Sequence, residues 1–496
     1  MLDALILILS HPTHWFLITG SVTLGYIIGI LPGLGVIFGI VVLLPFTLRL
    51  PPEMGIVTLM GIFVGAATGG GLTAALIGIP GTPMATATLF DAYPLAKRGR
   101  AGEAMGYVIT SSVFGGIFSV LILAFFSPLL ARVALKFGPP EYVLLVTLGL
   151  TTIAFVSRGT FIKGLLSGML GLVIATVGTD LATAFQRFTF GVSELGMGFG
   201  LIPVLLGLFA IPEVISLLES EDLSSVSIKE ASVKWPTRKH WLTMWPEYVK
   251  SSVIGTIIGI LPGAGADIAA FVAYGEAKRS SKHPELLGTG APEGIIASEA
   301  ANNAVTGGAL IPMLTLGIPG DAATAIIMGV LFMHGLSPGP ELYQKSAHLL
   351  SYIYVGLFIA NVFQLFLGMY LSGPFIAFLR LRKGLLIPVV MLLCFLGVWA
   401  IQTSIFDLWT MLAFGILSYF MRKMEFPLSP IILGFILGPL LEQNLRRALT
   451  LSEGSLTIFI TRPYSIVIIV LLLITLWSAY KSVRRITATP RTTSAN

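Results

Sequence analysis

The side chains able to do chemistry in this chain are small, polar and set inside long apolar runs. In the first half they are Thr68, Thr73, Thr82 and Thr86; in the second they are Ser298, Asn302, Asn303, Thr306, Thr315 and Thr324. Four acids, Asp267, Glu293, Glu299 and Asp321, stand beside the same second-half segments, which contain no lysine or arginine. That set suits reversible binding. Hydroxyl, amide and loosened carbonyl oxygens match a hard cation such as Na⁺. An anion bound there has to be held by backbone dipoles, hydroxyls and amides. We expect Thr82, Ser298, Asn302 and Asn303 to meet an anionic ligand through their side chains. Gly33, Gly35, Gly81, Gly263, Gly265 and Gly320 are expected to meet it through the backbone. Asp267, Thr306, Asp321 and Thr324 are the expected Na⁺ ligands, or the two aspartates carry a proton, because an acid inside a membrane segment is a functional candidate by default. Glu293 and Glu299 also read as residues of a partly wet helix end that follows the polar stretch 278–294. His334 closes an apolar run and reads as a hydrogen-bonded helix-end residue.

What positions these residues is a set of broken helices. Leu31-Pro-Gly-Leu-Gly35 and Leu261-Pro-Gly-Ala-Gly265 sit inside apolar runs, as do Gly78-Ile-Pro-Gly81 and Gly317-Ile-Pro-Gly320. Proline removes a backbone donor and clashes with the preceding turn, and glycine admits non-helical dihedrals. Facing lipid, each freed N–H or C=O costs several kcal/mol, so such a break must be packed in protein or line a water-filled cavity. Paired breaks at matching positions of two halves are the best sequence pointer to a transporter's binding site.

The breaks come in pairs because the chain repeats itself. Residues 25–35 and 255–265 agree at all but two of their positions, Tyr26/Thr256 and Leu34/Ala264. The two Gly-Ile-Pro-Gly elements are each followed by Ala-Thr-Ala, at 85–87 and 323–325. A weaker echo pairs Pro203, Leu206, Gly207 and Pro212 with Pro430, Leu433, Gly434 and Pro439. The acids are not duplicated: Ile37 aligns with Asp267 and Thr82 with Asp321. Loop charge is opposite in the two halves. Lys97, Arg98 and Arg100 follow the first Gly-Ile-Pro-Gly segment, whereas 335–344 holds no Lys or Arg; Arg49 alone faces Lys278, Arg279 and Lys282. Under the positive-inside rule this implies two repeats of inverted topology, with the basic tail (Lys481, Arg484, Arg485, Arg491) cytoplasmic.

The composition requires a membrane. Of 496 residues 55% are hydrophobic and 11% charged, and mean hydropathy is +0.91. Soluble domains carry roughly 25% charged residues. The expected fold is therefore all-α and polytopic, with broken helices or re-entrant hairpins and an extra C-terminal transmembrane helix. The divisions are a first repeat at 1–218, a polar linker at 219–247, a second repeat at 248–449, and a last helix with its basic tail at 450–496. Residues 2–9 read as an interfacial helix, since no basic residue precedes them and no small-residue cleavage site follows. The net charge of +6 is scattered in short clusters, which fits cytoplasmic loops and argues against nucleic acid. A single cysteine, Cys394, excludes an intrachain disulfide.

Catalysis finds little support. Asp267 and Asp321 suggest an intramembrane aspartyl pair, but the Gly-Ile-Pro-Gly frame is duplicated where the acid is not. His-Glu-x-x-His, Gly-x-Ser-x-Gly and phosphate-loop patterns are missing, and no resident cofactor is called for. A passive channel lacks its rings of pore-lining charge. A docking platform for other subunits is the competing reading.

Across about Gly20 to Leu449 the sequence resembles the large membrane subunit of the tripartite tricarboxylate transporters, the TctA family. The resemblance rests on GILPGLG at 29–35, GIPGTP at 78–83, DAYPLAKRGRAGEAMG at 91–106 and GLFAIPE at 207–213. In the second half it rests on GILPGAGADIAAF at 259–271, SEAANNA at 298–304, GIPGDAATA at 317–325 and LGFILGPLLE at 433–442. It implies a multi-pass symporter subunit of a bacterial inner membrane, working with a small membrane subunit and a periplasmic solute-binding protein, in a complex open to homo-oligomers. It also implies uptake of citrate-like or other carboxylates driven by a cation gradient, usually Na⁺, with H⁺ the alternative.

Overall fold

The computed structural model describes residues 1–156, 161–180, 182–219, 232–381 and 383–488. Part of the polar linker, 220–231, and Arg491 of the basic tail lie outside the described residues. The described chain is almost wholly helical; its strands are the two-residue pair Gly178–Thr179 and Gln186–Arg187. Seven of the described helices are long and apolar enough to cross a membrane, so the chain is a multi-pass membrane protein.

Contacts divide it into two compact units, 1–135 with 200–419, and 136–199 with 420–496. In the first unit the helices that matter for the site are α1 (Pro12–Ile30), α2 (Gly35–Thr47), α3 (Pro52–Ile77), α4 (Leu89–Leu95) and α5 (Ala101–Ala134). After the linker come α6 (Arg238–Ile260), α7 (Gly265–Ser280), α8 (Pro292–Gly308), α9 (Leu310–Leu316), α10 (Ala322–Met333) and α11 (Ala347–Ala377). The breaks anticipated from the Pro-Gly motifs fall between α1 and α2, after α3, between α6 and α7, and between α9 and α10. The apolar run at 294–317 is further divided at Ala309, between α8 and α9.

The local geometry of the breaks recurs. Gly33 and Gly263 have φ of +95° and +85°, Gly35 and Gly265 +63° and +66°, Gly78 and Gly317 +72° and +70°. All lie in the left-handed region that only glycine adopts cheaply. Helix pairing recurs as well. α1 packs on α3 and α6 on α8 through small residues that let the backbones touch. A Cβ on Gly69 would lie 2.7 Å from the Tyr26 carbonyl oxygen, and one on Gly308 2.7 Å from that of Thr256. The Gly81 N–H then donates to the Gly70 carbonyl (3.2 Å) and the Gly320 N–H to that of Ala309 (3.4 Å). A Cβ on Gly81 would clash with the Gly29 carbonyl, and one on Gly320 with that of Gly259.

The second unit contains the helices Pro139–Val156, Phe161–Ala175, Ser429–Leu451 and Pro463–Ala488. Glu141, buried in the first turn of its helix, accepts from Arg462 Nε (2.7 Å) and Ser465 Oγ (2.6 Å). The strand pair is tied to the helix Ser429–Leu451 by Arg187–Glu442 (2.8 Å) and Arg446–Asp180 (2.6 Å).

Candidate functional site

Helix α8 runs through the middle of the first unit and is buried along its length from Gly294 to Gly308. It packs on α3, α4, α5, α6 and α7, and its buried stretch carries five polar residues, Ser298, Glu299, Asn302, Asn303 and Thr306, among many Ala and Gly. Of the side chains expected to bind an anion, the structure gathers Ser298, Asn302 and Asn303 here. Asn303 Nδ2 donates to the Glu299 carbonyl (3.2 Å) and to Asn302 Oδ1 (2.5 Å). Asn302 Nδ2 donates to the Met84 carbonyl (3.5 Å), in the turn just after Gly78-Ile-Pro-Gly81. Thr68 of α3 donates to Asn303 Oδ1 (3.4 Å) and accepts from the Gln364 amide of α11. Four segments far apart in sequence thus converge on one chain of amides and hydroxyls.

Among the described residues, Thr82 Oγ1, Gln364 Oε1 and Asn361 Oδ1 are buried oxygens with no hydrogen-bond partner. A buried polar atom left unpaired costs about 1–3 kcal/mol. Such atoms fit a site that completes its contacts when a ligand arrives.

The glycines divide by what their backbone does. Gly33 is exposed, while Gly35, Gly263 and Gly265 are partly exposed at the two Leu-Pro-Gly breaks. Gly263, Gly81 and Gly320 spend their N–H groups inside the protein, Gly263 on the Gly320 carbonyl (2.6 Å). That bond joins the two second-half breaks directly.

Of the expected cation ligands, Asp321 and Thr324 form a closed pair. Asp321 Oδ1 accepts from the Thr324 N–H (2.8 Å) and hydroxyl (2.7 Å), and Thr324 Oγ1 accepts from the Asp321 N–H (3.0 Å). This is a capping box at the start of α10. Asp267, in the first turn of α7, lies within electrostatic reach of Asp321. Thr306 is set apart: its hydroxyl donates to the Asn303 carbonyl one turn back (2.6 Å). Among the described residues no three His, Cys, Asp or Glu side chains converge to hold a metal ion.

Four contributors were not singled out from sequence. Asp91 of α4 is fully buried; its Oδ1 accepts from the N–H groups of Gly288 (2.9 Å), Gly290 (2.7 Å) and Ala291 (2.8 Å). Its Oδ2 accepts from the Tyr274 hydroxyl (2.9 Å). A carboxylate of the first half therefore sits on the N-terminal end of α8, where the helix dipole favours negative charge. Asn361 and Gln364 are the only carboxamides in the apolar run 347–371, which was the available signal. Thr88 bridges Ser298 Oγ (3.0 Å) and Glu299 Oε1 (2.6 Å); nothing local in its sequence marks it.

Comparison with known proteins shows the family. The family model described as "Tripartite tricarboxylate transporter TctA family" matches residues 15–433. An Agrobacterium vitis protein described as "Uncharacterized 52.8 kDa protein in TAR-I ttuC' 3'region" is 37% identical over 443 residues, 89% of this chain and 88% of its own length. A second, "Uncharacterized protein in TAR-II ttuC' 3'region" of the same organism, is 36% identical over 209 residues, 42% of this chain and 86% of its own length. No solved structure matches.

Proposed function

We infer a transport function from one premise: the chain belongs to the tripartite tricarboxylate transporter TctA family. It is read as the large membrane subunit of a bacterial inner-membrane system that takes up citrate-like or other carboxylates by alternating access. A small membrane subunit and a periplasmic binding protein deliver the substrate. Membership makes it a transport component and not an enzyme.

The observation that carries the reading is the convergence on α8. Asn302 and Asn303 join α3, α11 and the turn after Gly81 through hydrogen bonds, with unpaired oxygens at Thr82 and Gln364 beside them. Thr82, Ser298, Asn302 and Asn303 are the proposed substrate contacts, supported by the backbone at Gly33, Gly35 and Gly265, while Gly81, Gly263 and Gly320, whose N–H groups bond within the protein, hold the breaks in shape. Asp267 and Asp321, with Thr324 and Thr306, are the proposed Na⁺ contacts. Neutral oxygens and two acids, in segments whose sequence carries no Lys or Arg, suit a cation that travels and leaves. The two halves are proposed to be inverted in the membrane, with the C-terminus cytoplasmic.

Replacing Asn303 by Ala tests this. A substrate site at α8 should lose uptake at least tenfold, a loss of about 1.4 kcal/mol of transition-state binding, while the three-part complex still assembles. Unchanged uptake would place the substrate elsewhere and favour a docking role for this chain.

A further inference from the structure

Glu299 has no part in the scheme above, yet it is the most completely enclosed acid on α8. Its side chain is inaccessible, and the ideal Cβ of Gly71 would press on its Oε1 and on Val108. Only hydroxyls and an amide meet its oxygens: Thr88 at Oε1 (2.6 Å), Ser112 at Oε2 (2.8 Å), and Asn302 alongside. Among the described residues no Lys, Arg or His forms an ion pair or hydrogen bond with it.

Counting hydrogens shows what state this arrangement holds. Four links need a proton: Ser298 Oγ to the Gly294 (3.0 Å) and Ile295 (3.2 Å) carbonyls, which share its one hydrogen, Thr88 to Ser298 (3.0 Å), Thr88 to Glu299, and Ser112 to Glu299. Each hydroxyl carries one proton. Three hydroxyls therefore supply three of the four contacts, and the fourth needs a proton on the carboxyl. With it, donation runs from Glu299 to Thr88, to Ser298, to the Gly294 carbonyl. Without it, the chain must reverse, from Ser298 to Thr88 to the carboxylate, and Ser298 gives up the Gly294 and Ile295 carbonyls.

We propose that Glu299 is a proton-binding site of the transport cycle, which takes a proton from the outer side and yields it to the inner side with the substrate. The reversible Thr88–Ser298 chain connects it to the substrate contacts. This rests on the transport reading. Several other titratable groups on the elements around it are otherwise engaged: Tyr107 of α5 packs against His240 of α6, and Tyr93 of α4 faces Lys97. Tyr26 of α1 donates to the Gln364 carbonyl, Asp91 of α4 is held by loop amides and Tyr274 of α7, and Glu247 of α6 pairs with Lys250. Glu53, Glu103, Arg132 and Glu293 stand in the end turns of α3, α5 and α8, and Asp267, Glu276, Lys278 and Arg279 on α7; Tyr248 of α6 faces Thr110.

The test uses the assembled three-part complex in proteoliposomes with a pH dye in the lumen and equal Na⁺ on both sides. A panel of di- and tricarboxylates headed by citrate is first screened by counterflow, which needs binding and alternation but no net proton movement. One outward-acid pH unit should then raise wild-type accumulation up to about tenfold per coupled proton, and uptake should acidify the lumen. Glu299→Gln should keep counterflow and lose both responses. Thr88→Val, which retains the carboxyl but cuts the chain, should lose most of the pH response when that response is scaled to the variant's own counterflow. A pH response in Glu299→Gln or Thr88→Val equal to wild type overturns the proposal, as does wild-type accumulation indifferent to the pH gradient. Should Glu299→Gln not assemble, the Thr88→Val result decides alone. Wild type without counterflow for any carboxylate overturns the transport reading itself.

Discussion

Asp91 illustrates what a single residue contributes here. It receives three N–H groups from the loop before α8, two of them on glycines with φ of +92° (Gly288) and +111° (Gly290). Asp91→Ala leaves those donors and the Tyr274 hydroxyl unsatisfied, each costing about 1–3 kcal/mol where buried. The purified variant should unfold several degrees below wild type, and uptake should fall with it because α8 loses its anchor. Asp91→Asn keeps an acceptor for the loop and should be milder; an Asp91→Ala Tm equal to wild type contradicts the role. In sequence this residue looked like one acid in a motif, because its partners lie about two hundred positions away. Gln364 and Thr68 were separated for the same reason: helical periodicity says which face is polar but not which helix it meets.

The elements make the complementary point. Breaks were legible because Pro-Gly chemistry acts on the chain's own backbone, within a turn of where it stands. The repeated left-handed glycines and the repeated approach of α1 to α3 and α6 to α8 follow directly from the repeated sequence. Their steric demand yields a prediction: Gly81→Ala and Gly320→Ala push a methyl into the Gly29 and Gly259 carbonyls, so each should abolish uptake or folding. Gly20→Ala, where a Cβ meets open space, should behave as wild type in uptake and expression. In the second unit, Asp180 ties the strand pair to Arg446. The Ala182 N–H, then Thr183 and Arg446, hold its carboxyl at about 2, below the ordinary aspartate value of 3.8. A depressed folded-state value means that this support is full above about 3.8 and is lost as pH falls through about 2. Protection of the paired strands Gly178–Thr179 and Gln186–Arg187 from hydrogen exchange should hold to pH 4 and weaken below it; loss at pH 5–6 would contradict the pairing. Neither the strand pair nor these ion pairs left a sequence signal beyond scattered charge.

At the scale of the molecule the governing quantity is charge moved across the membrane. Each negative charge entering against an inside-negative potential costs about 2.3 kcal/mol per 100 mV, so a trianion costs about 7 kcal/mol per 100 mV. A chain whose polar centre holds buried carboxyls and neutral oxygens is suited to admit cations with the anion. The most direct test is radiolabelled citrate uptake into proteoliposomes holding this chain and its two partner subunits, with and without an inward Na⁺ gradient at matched pH. Accumulation above equilibrium only when the gradient is present is the expected result. Equal uptake with and without the gradient, for citrate and for other carboxylates in a correctly assembled complex, would contradict Na⁺-coupled transport.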